Sequence, residues 1–247
     1  MKALILAAGY ATRLYPLTKD RPKPLLAVAG KPMMEYILDK IASIDDITEI
    51  FVVTNNKFHS HFEEWAKNYD HPKPIKIIND NTMSDEDKLG AVGDIQFVID
   101  KENLNEDLMV IAGDNLFEFD LKEFVEFFKQ KKDNTIAVYD VKDMEIAKRM
   151  GVVTVDENKK LTFFQEKPEK PNTTLIAICC YLFPKEKLKR IKEFLDTGAK
   201  SDAPGYYIQW LYKNDNVYCF IFEDSWFDIG NLDQYKLANQ VYEKKGE

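Results

Sequence analysis

The chain runs from an apolar stretch, Leu4 to Leu6, into Ala7-Ala8-Gly9-Tyr10-Ala11-Thr12-Arg13, then through Pro16 and Thr18 to Arg21-Pro22-Lys23-Pro24. Small residues at Ala7, Ala8 and Gly9 let peptide N–H groups come close to an anion. Arg13 offers a planar fork to phosphate oxygens, and Lys23 a mobile point charge from the far end of the same loop. Pro16, Pro22 and Pro24 fix φ and lower the entropic cost of holding one loop shape. Leu6 to Thr12 with Arg13 and Lys23 thus have the chemistry of a turn that grips a triphosphate. The plainer alternative is a buried strand followed by a Pro-rich surface loop. The turn is neither a Walker A loop, because no G-K-[ST] occurs, nor a dinucleotide fingerprint of the form G-x-G-x-x-G.

Two carboxylates stand at comparable places further on. Asp114, in Gly113-Asp114-Asn115, follows the apolar run Met109 to Ala112, and Asp228 lies in Trp226-Phe227-Asp228-Ile229-Gly230. Hard oxygen ligands with open coordination positions suit Mg²⁺, which binds through one or two carboxylates plus substrate phosphates. Each aspartate alone also reads as a turn or cap residue.

The elements that must hold these residues follow from hydrophobic periodicity. Lys2 to Ala7, Ile50 to Thr54, Ile75 to Ile78, Leu108 to Ala112 and Thr135 to Val141 read as strands. Met33 to Ala42, Phe58 to Tyr69, Gly90 to Asp100 and Leu121 to Lys131 read as helices with one apolar face. Such alternation implies an α/β fold, a mainly parallel, Rossmann-like sheet with helices on both faces. Ligands then sit beyond the carboxyl ends of the strands, where the loop and Asp114 both fall. After Lys142 the strands come closer together: Gly151 to Val155, Leu161 to Glu166 and Thr174 to Phe183, with a turn at Asp156 to Asn158. These form a small antiparallel extension. A helix from Lys185 to Leu195, a loop from Thr197 to Gly205, a short helix to about Lys213, a strand from Asn216 to Phe222 and a closing helix from Asp233 to Lys244 complete the reading. One domain of 1–247 is expected, with a nucleotide-binding part to about 142, a part bearing a second subsite from about 143 to 230 and a closing helical part from about 231 to 247.

Composition narrows the function classes. With 34 basic against 42 acidic residues and a net charge of -8, the chain lacks the basic footprint of a nucleic-acid or membrane-surface binder. Cys179, Cys180 and Cys219 form no C-x-x-C pair and lie in apolar runs, so reduced core thiols and a cytoplasmic location are expected. His59, His61 and His71 lack metal-binding spacing and read as surface residues. No apolar run approaches the roughly 18 residues of a membrane span.

The loop resembles the signature of the sugar-1-phosphate nucleotidylyltransferases, G-x-G-[TS]-R-L-x-P-x-T followed by P-K-x-L, the glucose-1-phosphate thymidylyltransferases included. It departs from that signature at Ala11, where glycine is usual, and at Ala8, where many members also have glycine. The resemblance implies a metal-binding aspartate at both Asp114 and Asp228, with Mg²⁺ as cofactor. It implies sugar-phosphate contacts from Gly151 and from the Glu-Lys-Pro element, Glu166 reading sugar hydroxyls and Lys167 holding the phosphate, with Asn115 beside them. Gly90, in Lys88-Leu89-Gly90-Ala91, matches the glycine of the base-contacting loop, but the preceding Asn79 to Asp87 is longer and more acidic than the Gln-x-x-P form of thymidylyltransferases. Lys200 falls where related enzymes place a basic residue against the sugar phosphate; a surface lysine is the alternative.

The reaction implied is attack by a sugar 1-phosphate on the α-phosphorus of a nucleoside triphosphate, with dTTP or UTP and glucose 1-phosphate the expected pair. A phosphate monoester is largely dianionic at neutral pH, so no general base is needed. Two other readings stand beside it: a cytidylyltransferase of phosphocholine or another small phosphate, for which Tyr206, Tyr207 and Trp210 would have to form an aromatic cage, and a non-catalytic sensor on the same fold. The nucleobase, sugar, pathway and oligomeric state stay open, a homo-oligomer included.

Overall fold

The structure, a computed structural model, describes residues 1–246; Glu247, the last residue of the expected closing segment, lies outside the described residues. The strands are β1 (Lys2–Leu6), β2 (Ala27–Val28), β3 (Lys31–Pro32), β4 (Glu49–Thr54), β5 (Ile75–Asn79), β6 (Leu108–Ala112), β7 (Asn115–Phe117), β8 (Asn134–Asp140), β9 (Gly151–Val155), β10 (Leu161–Glu166), β11 (Leu175–Phe183), β12 (Val217–Phe222) and β13 (Trp226–Asp228). The helices are α1 (Met33–Ala42), α2 (His59–Asn68), α3 (Ala91–Glu102), α4 (Leu121–Lys131), α5 (Met144–Ala147), α6 (Lys189–Leu195), α7 (Pro204–Asn214) and α8 (Leu232–Gly246). The fold is mixed α/β with a mostly parallel central sheet and small antiparallel pairs. Among the described residues no helix is long and apolar enough to cross a membrane.

The chain's contacts group into two compact units. One takes Ala3–Lys88, Ile111–Glu118 and the residues from Asp224 onward. Within it β1, β4 and β5 are neighbours in that order, and β4 pairs in parallel with β5 from Ile50 opposite Ile75 to Thr54 opposite Asn79. β4 is buried from Ile50 to Thr54, as a strand covered on both faces requires. On α1, Met33, Met34, Ile37, Leu38 and Ile41 form one buried stripe at helical spacing. β2 and β3 make a hairpin whose two turn residues, Ala29 and Gly30, have φ of 48° and 79°, the left-handed pair that a tight two-residue turn needs. Leu14, Leu26, Val28, Met33, Leu116, Ile229 and Ala238 share one core cluster with α8 against it.

The other unit takes Met1–Lys2, Leu89–Val110 and Phe119–Glu223. Here β8 lies between β11, antiparallel, and β12, parallel, while β9 pairs antiparallel with β10 and β11. The β9–β10 turn is held by Asp156, whose Oδ1 accepts from the N–H groups of Asn158 and Lys160 at 2.9 and 2.8 Å. Lys187 pairs with Asp133, and with Asp215 at 2.7 Å, joining the starts of β8 and β12. The expected helix from Lys185 is a 3-10 turn, Lys185–Lys187, followed by α6. Cys179, Cys180 and Cys219 are free thiols on β11 and β12. His71 differs from the surface residue expected: it is half-buried, with its ring nitrogens 3.2 and 3.1 Å from the carbonyls of Lys73 and Leu38.

Candidate active site

The candidate phosphate loop leaves β1 at Leu6 with Ala7, Ala8 and Tyr10 buried and Gly9 exposed. Ala11 turns the chain in the left-handed region, φ 48° and ψ 40°, and leads into the 3-10 turn Thr12–Leu14. That turn presents Arg13 to solvent while Leu14 anchors in the core. The Ala11 carbonyl accepts twice, from Leu14 N–H at 3.0 Å and from the buried Thr18 hydroxyl at 2.7 Å. Asn55, fully buried at the end of β4, donates to the Ala8 carbonyl at 2.8 Å. Thr18, within the motif, and Asn55, the polar residue after β4, therefore brace the loop. Thr18 stands in the motif without a role of its own, and Asn55 was not singled out from sequence, though a polar Thr54-Asn55-Asn56 run at a strand's carboxyl end is the signal that marks it.

Lys23 is not the mobile cation expected: it is only 8% exposed, in the 3-10 turn Lys23–Leu25, and its ammonium forms an ion pair with Asp114. Gly113 makes the approach workable. A Cβ there would lie 3.1 Å from Ile5 Cγ2 and the Leu6 carbonyl and 3.2 Å from Pro24, so the end of β6 meets β1 and the lysine turn closely only without a side chain. Beyond Asp114 the chain enters β7, which pairs antiparallel with β13 so that Asn115 stands opposite Asp228. Both short strands were missing from the sequence reading, and they are what brings the two aspartate segments to one place. Asn115 is buried, and its Oδ1 accepts from Trp226 Nε1 at 3.3 Å.

Among the described residues no three or more His, Cys, Asp or Glu side chains group to hold a metal. Two carboxylate segments in one place beside a cationic loop fit a hard ion that completes its shell from phosphate oxygens. Asp114 and Asp228 would hold it.

Next to the loop, the Tyr10 hydroxyl lies 3.4 Å from Thr82 Oγ1, which donates to the buried Asp80 at 2.8 Å. Burial, and then the nearby Asp80, Asp87 and Asp85, raise the Tyr10 phenol above its ordinary pKa, so it stays a neutral donor. The acidic segment Asn79–Asp87 thus begins under the loop rather than as a detached excursion.

The remaining expected residues lie in the other unit. Gly151 opens β9 and pairs with Glu166, the last residue of β10. The Glu166 side chain is only 7% exposed, its N–H donates to Gln209 Oε1 of α7 at 2.8 Å, and its Oε1 lies 3.7 Å from Lys167 Nζ. Burial raises the Glu166 carboxyl above the usual range, the Lys167 ammonium acts against it, and Asp202 adds to the rise. Lys167 adopts φ 48°, which turns the chain out of the strand and leaves its ammonium about half exposed. Gly90, at φ 77°, is the N-terminal cap residue of α3; a Cβ on it would meet the Ser201 carbonyl at 2.7 Å, so it packs against the loop that carries Lys200. Lys200 is exposed, its ammonium 6.0 Å from the centre of the Tyr206 ring. Tyr207 is 1% exposed and packs among Phe183, Phe194 and Trp210, so Tyr206, Tyr207 and Trp210 do not line up as a cage.

Known proteins arrange themselves around this chain consistently. A relative that carries the provisional name mannose-1-phosphate guanyltransferase, from Sulfolobus acidocaldarius, is 31% identical over 97% of this chain and 62% of its own length. A glucose-1-phosphate adenylyltransferase from Trichlorobacter lovleyi is 30% identical over 96% of this chain and 64% of its own. The chain spans between half and two thirds of the length of the curated relatives it matches. In fold it is similar to a UDP-glucose pyrophosphorylase solved with UDP-glucose, with a TM-score of 0.82, 21% identity, and 99% and 98% of the two chains covered. The family model described as nucleotidyl transferase matches residues 2–245, and with the loop, the Lys23–Asp114 pair and the β7–β13 pairing in place, this chain belongs to the nucleotidyl transferase family.

Proposed function

We propose that the protein is a sugar-1-phosphate nucleotidylyltransferase, which moves a nucleoside monophosphate from a nucleoside triphosphate to a sugar 1-phosphate. The observation that carries the reading is the convergence, within one unit, of the braced loop with Arg13, the buried Lys23–Asp114 pair and the strand that bears Asp228. The relatives' names supply the acceptor class, and they differ in the nucleotide.

An oxygen of the acceptor phosphate forms a bond to the α-phosphorus while the bond from that phosphorus to the β-phosphate bridging oxygen breaks, and pyrophosphate leaves with the electron pair. No proton has to be removed from the nucleophile, so the task is to bring two polyanions together. Arg13 takes the β- and γ-phosphates, and Lys23, already desolvated, faces the α-phosphoryl region. Asp114 and Asp228 would hold Mg²⁺, which would supply charge neutralisation at the phosphate oxygens. Lys167 holds the acceptor phosphate and Glu166 accepts from sugar hydroxyls.

For the finer identity we propose dTTP or UTP with glucose 1-phosphate. A matrix of five nucleoside triphosphates against sugar 1-phosphates, read by pyrophosphate release, tests both levels. Turnover above the acceptor-free blank in at least one combination is expected, greatest with dTTP or UTP and glucose 1-phosphate. Turnover in none, or only with phosphocholine, overturns the reading.

A further inference from the structure

Gly205, the second residue of α7, marks an unusual helix start. A Cβ built on it would lie 1.8 Å from Glu166 Oε2 and 2.6 Å from the Glu166 carboxyl carbon. A Cβ on Gly151 would lie 2.9 Å from the same oxygen. The carboxylate thus fills the volume that a side chain at 205 would claim, held between two positions that have none. Gln209, one turn along α7, fixes the backbone beneath it by accepting from Glu166 N–H at 2.8 Å. With its side chain 7% exposed, Glu166 is drawn back against the helix rather than extended.

We propose that Gly205 is a specificity-determining positioning residue. Its bare Cα gives the Glu166 carboxylate a retracted seat and so sets which acceptor hydroxyls that carboxylate can reach. This rests on the reading of Glu166 as a sugar-binding group. The displaced atoms at Gly205 belong to the far end of a flexible side chain, so a methyl group there relocates the carboxylate at modest cost. At Gly151 the methyl would meet the Phe164 ring at 2.4 Å and strain the sheet instead.

Gly205→Ala is therefore expected to lower kcat/KM for the best sugar 1-phosphate by about tenfold, or to change the ratio between two hydroxyl epimers by as much, with triphosphate affinity by calorimetry within about twofold of wild type. In a Glu166→Ala background, where the carboxylate is gone, the same substitution should change acceptor kcat/KM by less than about twofold. Equal losses in both backgrounds, or unchanged acceptor kinetics in a folded Gly205→Ala, overturn the proposal. Should Gly205→Ala not fold, Glu166→Asp decides, because it keeps the charge but withdraws it one methylene from α7; an unaltered epimer ratio then overturns it. Failure of the wider reading looks different: wild type itself gives no turnover with any sugar 1-phosphate, and both proposals fall together.

Discussion

Ala11 occupies a left-handed backbone position without being glycine. That conformation costs a Cβ-bearing residue about 1 to 2 kcal/mol, while glycine gains about 0.4 to 1 kcal/mol of extra freedom in the unfolded chain. Ala11→Gly should therefore stabilise the protein by about 0.5 to 1 kcal/mol, seen as a higher urea midpoint at unchanged slope; a lower midpoint would show that the strain is not there. The aspartates answer to chemistry instead. Asp114→Asn leaves the buried Lys23 ammonium without its counter-charge, and Asp228→Asn removes a carboxylate from the strand opposite Asn115. Each should lower kcat by at least about 10²-fold, the scale of losing a main electrostatic stabiliser, while near-normal turnover with Mg²⁺ in either variant would remove the pair from the mechanism. Lys167, half exposed and beside Glu166, is the residue proposed to hold the acceptor rather than the nucleotide. Lys167→Ala should weaken transition-state binding of the sugar 1-phosphate by about 1.5 to 3 kcal/mol, as for a lost charge-assisted contact, and spare triphosphate affinity. Calorimetry with the triphosphate beside acceptor kcat/KM reads both, and the reverse pattern would place Lys167 on the nucleotide.

At the scale of elements, Lys187 ties the start of β8 to that of β12 through Asp133 and Asp215, with Arg190 adding a 3.3 Å contact to Asp215. Burial acts to raise the Asp215 pKa, but Lys187 and the Asn216 N–H outweigh it and hold the carboxyl below its ordinary value. A depressed carboxyl contributes stability that is present above its unfolded pKa of about 3.9 and lost as pH falls through the lower folded value. Lys187→Met should thus cost about 1 to 3 kcal/mol near neutral pH, between an exposed and a fully buried pair, and the gap to wild type should shrink in denaturant titrations below about pH 4. A gap that does not change with pH would assign the cost to packing.

The same scale shows what could be read from sequence. β1, β4 and β6 announce themselves as unbroken buried apolar runs, and the helices α1 and α4 as single stripes. β7 and β13 do not, because three residues are too few to display a period and each is a strand only by virtue of the other, more than a hundred residues away. The candidate loop motif was legible because its residues follow one another in the sequence, whereas its brace from Asn55 and the Lys23–Asp114 pair were not, because each joins residues far apart in the chain. Gly205 was not, because a glycine at a helix start looks unremarkable until a carboxylate from a distant strand is found against it.

For the whole molecule, the unit that carries the loop is assembled from three separated stretches, and its core joins Leu14, Leu26 and Val28 to Ile229 and Ala238. On α8, Tyr235 donates to the Ala27 carbonyl at 2.5 Å and Asn239 accepts from Ala29 N–H at 3.0 Å. Tyr235→Phe should lower stability by about 0.5 to 1.5 kcal/mol, the net value of one hydrogen bond, and speed protease cleavage in the segment from Gly9 to Pro32, which includes the β2–β3 hairpin; cleavage confined to α8 itself would mean that the hairpin does not depend on it. This arrangement also bears on how the protein is made. A ribosome releases residues at about 5 to 20 per second, so the loop emerges well before the side chains that complete its floor. Until residues 224–239 have cleared the exit tunnel the nascent chain exposes Leu14, Leu26, Val28 and Met33 with no partner from α8, and the triphosphate binding proposed for the loop should arise only after that point.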